Sequence, residues 1–93
     1  MQIHLEETDT KGRAYTGDAA EPLAEMAYSR AGDKLIIIDH TIVDDSLRGQ
    51  GVGRQLLDVV LAMVRERGVK VLPLCPFAKS VFDKDPSIRD VLR

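Results

Sequence analysis

The sequence predicts an α+β fold: antiparallel strands, then a strand–helix–strand crossover with parallel strands, then short C-terminal helices. Three observations predict it. Short, weakly alternating segments, punctuated at Gly17-Asp18 and Ala31-Gly32-Asp33, run as far as Val43. From Val52 to Arg67 the apolar residues change to helical spacing. The apolar run Val69 to Leu74 follows that helix directly, and a strand, a helix and a second strand imply parallel pairing through a right-handed crossover.

Taken in order, Ile3 to Glu6 reads as a first strand or a lead-in, and Gly12 to Thr16 as a short second strand. Gly17 to Pro22 leaves room only for a turn. Leu23 and Glu25 alternate with Ala24, Met26 and Tyr28 in a third strand, and Ala31-Gly32-Asp33 turns the chain into a fourth, Lys34 to Val43. Period-two alternation places His40 on the face of Ile36, Ile38 and Ile42, with Asp39 and Thr41 on the other. Asp44-Asp45-Ser46 supplies acids and a cap-forming serine before a glycine turn. Leu56, Leu57, Val60, Met63 and Val64 form the buried stripe of the long helix, which Gly68 stops. A short helix spans Phe77 to Phe82, Asp83 to Asp85 breaks it, and Pro86 opens a last helix through Val91.

A chain of 93 residues supplies one core, so residues 1–93 form a single domain. A formal charge of −2 and the absence of any basic run exclude an electrostatic footprint for nucleic acid. The longest apolar run, Val59 to Val64, is far short of the roughly 20 residues that span a bilayer. One cysteine excludes an internal disulfide, and Met1 to Thr10 carries acids and no apolar core. These features predict a cytoplasmic protein without nucleic-acid or membrane partners, a monomer or weak homodimer, and without a metal site.

Between the fourth strand and the long helix stands the run S-L-R-G-Q-G-V-G. Such a turn leaves backbone N–H groups pointing outward at the positive end of a helix, where anions bind. Arg48 and Arg54 bracket it. A dinucleotide fingerprint starting at Gly49 requires glycine where Arg54 stands, and no Gly-Lys pair completes a phosphate loop. The pattern that fits is [QR]-x-x-G-x-[GA], filled by Arg48, Gly51 and Gly53.

That pattern resembles the acyl-CoA pyrophosphate motif of the GNAT superfamily of N-acetyltransferases. The D-H-T-x-V run ending at Val43 and the P-L-C-P-F run ending at Phe77 are similar to those of its small single-domain members. The resemblance covers Leu23 to Val91 and implies a minimal GNAT-like fold with splayed parallel strands. It implies acetyl-CoA, or coenzyme A, as cofactor, and an amine acceptor, either a small molecule or a protein lysine. The pyrophosphate would lie on the backbone of Gly49, Gln50, Gly51, Val52, Gly53 and Arg54, beside Arg48. By position, the pantetheine arm would pair with Thr41, Ile42 and Val43 and be edged by Phe77, with Ser80 beside it and Lys79 and Lys84 near the 3′-phosphate.

Acetyl transfer to an amine needs a neutral attacker, donors for the developing oxyanion and a proton for the departing thiolate. His40 can take the amine proton; the alternative is a strand histidine satisfying a backbone carbonyl. Cys75 is either an inert small apolar residue or, as the resemblance implies, a catalytic one: proton donor, nucleophile or lining of the pantetheine slot. The ends of the parallel strands should bring His40 and Cys75 to one cleft. Two departures from the larger GNAT enzymes stand out. No tyrosine follows Tyr28, where many have a general acid, and the helices that complete their acceptor sites are replaced by the Gly17 to Pro22 turn. An acetyl-CoA-dependent N-acetyltransferase is the leading reading, a non-catalytic acetyl-CoA-binding or sensing module the second, and an unrelated interaction domain the third.

Overall fold

A computed structural model describes residues Met1–Arg93. The strands are β1 (His4–Glu7), β2 (Lys11–Gly17), β3 (Pro22–Arg30), β4 (Leu35–Val43) and β5 (Lys70–Pro73). They form one sheet in chain order, antiparallel through β4 and parallel between β4 and β5. Between β4 and β5 runs α1 (Val52–Arg67), and after β5 come α2 (Pro76–Lys84) and a 3-10 helix (Pro86–Val91).

The helices cover a single face of the sheet, giving a slab of 33 × 31 × 20 Å. That face is the core. Ala14, Ala24, Met26, Tyr28, Ile36 and Ile38 from the strands meet Leu56, Leu57, Val60, Leu61 and Val64 of α1, all at most 3% exposed. Each such leucine contributes about 2–5 kcal/mol against alanine, as the transfer and cavity effects add. Gly68 ends α1 in the left-handed region at φ 67°, its N–H donating to Arg65 and Val64 carbonyls.

Three local expectations change. The acidic run before the glycine turn is itself a 3-10 turn, Asp45–Leu47, and its cap is Asp44, whose carboxylate accepts from the Ser46 N–H at 3.0 Å. Ser46 caps nothing. α2 does not break at Asp83, because Lys79 pairs with Asp83 at 3.4 Å and the Asp85 N–H still donates to the Val81 carbonyl. The last segment coils as a 3-10 helix.

The larger correction concerns β4. Tyr28 pairs with Ile38 and the adjacent Ala27 with His40, so Asp39 is an extra residue with no partner across the ladder. Because side chains alternate with a period of two, one extra residue reverses every face beyond it. Ile36 and Ile38 face the core, but beyond the bulge it is Thr41 and Val43 that do, opposite Met26 and Ala24. His40 and Ile42 turn to the uncovered face, opposite Ala27 and Glu25. The bulge is pinned by the Ser29 hydroxyl, which donates to Asp39 at 2.6 Å and accepts from Lys11 at 2.8 Å.

Candidate active site

β4 and β5 pair from Leu35 and Lys70 as far as Ile38 and Pro73. There the pairing ends on a shared acceptor, the Ile38 carbonyl, which takes the N–H groups of Leu74 and Cys75 at 3.1 and 3.0 Å. Pro76 starts α2 and carries the chain away, while β4 continues to Val43 with no neighbour on that side. A gap opens between them. The Asp44 N–H donates to the Leu23 carbonyl at 2.7 Å, which fixes the phase of the ladder with β3. Ile42 therefore spends its backbone groups on β3, and Thr41 and Val43 turn theirs into the gap.

Cys75 lies beneath this gap, 2% exposed and packed into the core. The thiol does not face an open cleft. Its Sγ is 3.2 Å from the Thr41 Oγ1, within hydrogen-bonding reach. The bulge is what brings that hydroxyl inward.

Beside the gap is the glycine turn. Gly49 and Gly51 adopt φ of 82° and 69°, which side chains disfavour, and no protein atom stands within 4 Å of where their Cβ atoms would be. The amides of Gly49, Gly51, Val52, Gly53 and Arg54 make no backbone hydrogen bond; the Gln50 N–H donates to Leu47 at 3.3 Å and the helical ladder starts from Gln55. Gly53 has another reason to be glycine, since a Cβ would meet the Phe77 ring at 2.6 Å. The Val52 side chain is buried in the core and leaves only its amide to the turn.

A groove of about 300 Å³ runs from this turn between α1 and α2, lined by Gly51, Gly53, Arg54, Phe77 and Lys84. Arg54 is not free there: Asp58 and Asp85 each hold it at 2.9 Å, and their hydrogen bonds raise its pKa further. Arg48 pairs with Asp45 at 2.7 Å. Of the other cations considered for the 3′-phosphate, Lys84 lines the groove and Lys79 is paired with Asp83. The Ser80 hydroxyl is spent on the Phe77 carbonyl at 2.7 Å.

His40 stands on the opposite side of the sheet from Cys75, so the two do not share a cleft. It lines a separate concavity of about 670 Å³ on the uncovered face, with Glu25, Arg13, Glu6 and Asp39. Its Nε2 is 3.9 Å from Glu25 Oε1, and Glu25 Oε2 accepts from Arg13 at 3.0 Å. Burial works against the Arg13 charge, but Glu25 and Glu6 outweigh it and raise the guanidinium pKa, while Arg13 holds Glu6 below the usual carboxylate range. Sequence reading passed over Glu25 and Arg13. The only signal for them was the alternation of β3, which sets Glu25 on the side away from Met26.

A family model described as GCN5-related N-acetyl-transferase matches residues 13–91. The chain belongs to the GCN5-related N-acetyltransferase family. A GCN5-like protein from Staphylococcus aureus, solved by NMR, is 37% identical, with a TM-score of 0.74 over 97% of this chain and 87% of that one. Protein NATD1 of Gallus gallus is 27% identical over 82 residues, 86% of this chain and 74% of the relative. An aminoglycoside 6′-N-acetyltransferase in complex with coenzyme A shares the fold at a TM-score of 0.57 and 16% identity, over 70% of this chain and 37% of that one. Acetyl-CoA is the cofactor of the GCN5-related family, and the minimal GNAT-like α+β fold is the one observed. No helix is long and apolar enough to cross a membrane.

Proposed function

We propose that the protein transfers an acetyl group from acetyl-CoA to an amine, either a small molecule or a protein lysine. One observation carries this reading: unpaired amides at the head of α1 lie beside a gap where Thr41 and Val43 present unused backbone groups. The donor set fits the cofactor. Amides from Gly49 to Arg54 suit a diphosphate, and an extended β4 edge suits an amide-bearing arm that pairs as a strand does.

When bound, acetyl-CoA supplies a thioester whose carbonyl carbon is attacked by the amine and whose thiol is the leaving group. His40 takes the proton that the amine loses as its C–N bond forms. The free N–H groups of Thr41 and Val43 are donors for the negative charge on the carbonyl oxygen. As the C–S bond breaks, the Thr41 hydroxyl gives a proton to the thiolate and is resupplied by Cys75, so the sealed thiol acts as a proton reserve rather than a nucleophile. The uncovered face carrying His40 admits the acceptor, since the β2–β3 connection is short and nothing packs over it. A cytoplasmic location fits the free thiol of Cys75. Nothing in the fold or the comparisons favours a purely binding role.

Two measurements test the reading. Acetyl-CoA should raise the melting temperature, and Gly51→Glu, which adds a side chain at positive φ and a negative charge at the turn, should abolish the rise. Release of coenzyme A against polyamines, peptides and lysine-rich proteins should fall by roughly a hundredfold or more in His40→Ala with ligand protection retained. Cys75→Ala should slow it while still binding. No melting shift at millimolar ligand, or no turnover with any amine, would overturn the proposal.

A further inference from the structure

The bulge at Asp39 sets His40 and Glu25 on the same uncovered face as diagonal neighbours, His40 opposite Ala27 and Glu25 opposite Ile42. Had the strand run without an extra residue, His40 would oppose Met26 and face the core. The Glu25 carboxylate is then divided between two duties. Its Oε2 accepts from Arg13 Nη1 at 3.0 Å, while its Oε1 makes no hydrogen bond and stands 3.9 Å from His40 Nε2. Arg13 is itself immobilised, by Glu6 at 3.0 Å, by the Ala19 carbonyl at 2.8 Å and by the Tyr15 ring, whose centroid is 4.2 Å beneath it. A carboxylate anchored this way at one oxygen keeps the other in a fixed direction. His40, half-exposed at 55%, has no other anchor of that kind.

We infer that Glu25 is a positioning residue for His40: it holds the imidazole by Nε2 and leaves Nδ1 to receive the acceptor's proton. The inference rests on the acetyltransferase reading above and adds a residue to it. A proton on Nε2 directed at Glu25 fixes the neutral tautomer, since the nitrogen that donates cannot also be the base. Glu7, Lys11 and Asp39 complete the charged groups lining this cleft. Glu7 is held by Tyr28, Arg67 and Arg30, and Lys11 and Asp39 are tied to Ser29 and to one another, at 2.8, 2.6 and 3.9 Å, which leaves Glu25 as the partner aimed at the ring.

The test is Glu25→Gln, whose amide oxygen can still accept from Arg13 but which carries no charge for the imidazole. Its kcat should fall by about ten- to a hundredfold, with the KM for acetyl-CoA and the acetyl-CoA melting shift unchanged. The ¹⁵N–¹H spectrum of the imidazoles, with the His40 signals identified by their loss in His40→Gln, should show the Nε2–H tautomer in the wild type and a tautomer mixture in Glu25→Gln. Arg13→Gln, which frees the carboxylate without removing it, should move the spectrum in the same direction. Wild-type kcat together with an unchanged imidazole spectrum in Glu25→Gln would overturn the inference. If the wild type turns over no amine, the functional reading fails instead, and the spectrum still decides whether Glu25 orients the ring.

Discussion

Gly12 and Gly53 each leave room for an aromatic ring, yet an added methyl group has a different consequence at each. At Gly12 a Cβ runs into the ring of Tyr28, which is fully buried and donates its hydroxyl to Glu7 at 2.7 Å. Burial, and then the Glu7 carboxylate, push the phenol pKa well above its usual value, so the ring stays neutral and tethered. It has nowhere to go. Gly12→Ala should cost roughly 2–3 kcal/mol by urea denaturation. At Gly53 the obstruction is the far end of Phe77, a side chain 38% exposed and able to swing outward. A helix-propensity gain of about 1 kcal/mol further offsets the strain, so Gly53→Ala should melt near the wild type. Its displaced ring alters the groove, and protection by acetyl-CoA should drop. Adding Phe77→Ala should restore part of it.

The bulge in β4, at Asp39, directly follows the last β4–β5 pair, Ile38 with Pro73. A bulged strand bends, and here the bend leads β4 away from β5 where the gap begins. Deleting Asp39 should leave His40 on the uncovered face, because the pairing on either side is preserved, but straighten the strand. The expected result is a folded protein whose melting temperature no longer responds to acetyl-CoA. The elements themselves were legible: helical spacing from Leu56 to Val64 and turn residues at Gly17 and Gly32 each have one structural solution. The bulge was not, for a physical reason. Ile36, Ile37 and Ile38 are apolar on both faces of the strand, so the run carries no alternation from which a slip could be detected. His40 was consequently assigned to the wrong face, and Glu25, whose relation to it depends on that slip, went unnoticed. For Cys75, spacing indicated its place at the strand end, whereas its burial depended on how α2 closes over it.

At the scale of the molecule, Glu7 clasps the edge strand to the far end of α1. It accepts from Tyr28 of β3 and from Arg67 at 2.8 Å, and it pairs with Arg30 at 3.3 Å. Burial is the largest single influence on Glu7 and pushes its pKa up. Tyr28, Arg67 and Arg30 together outweigh it and hold the carboxyl below the ordinary range. A folded-state pKa below the unfolded one contributes stability above the unfolded value, lost as pH falls through the folded value. Glu7→Gln should therefore lose about 1–2 kcal/mol at neutral pH, and the difference from wild type should shrink below about pH 4. Urea melts across that range measure both.

The strands lie side by side in the order in which they are made. Four of them can zip together as successive hairpins while the nascent polypeptide is still leaving the ribosome, because each joins only its predecessor. The parallel seam must wait until α1 has been synthesised and has crossed over. Amide hydrogen exchange should accordingly be faster at Val71 and Leu72 than along β2 and β3, and the part of the molecule that matures last is the part proposed to greet the nucleotide.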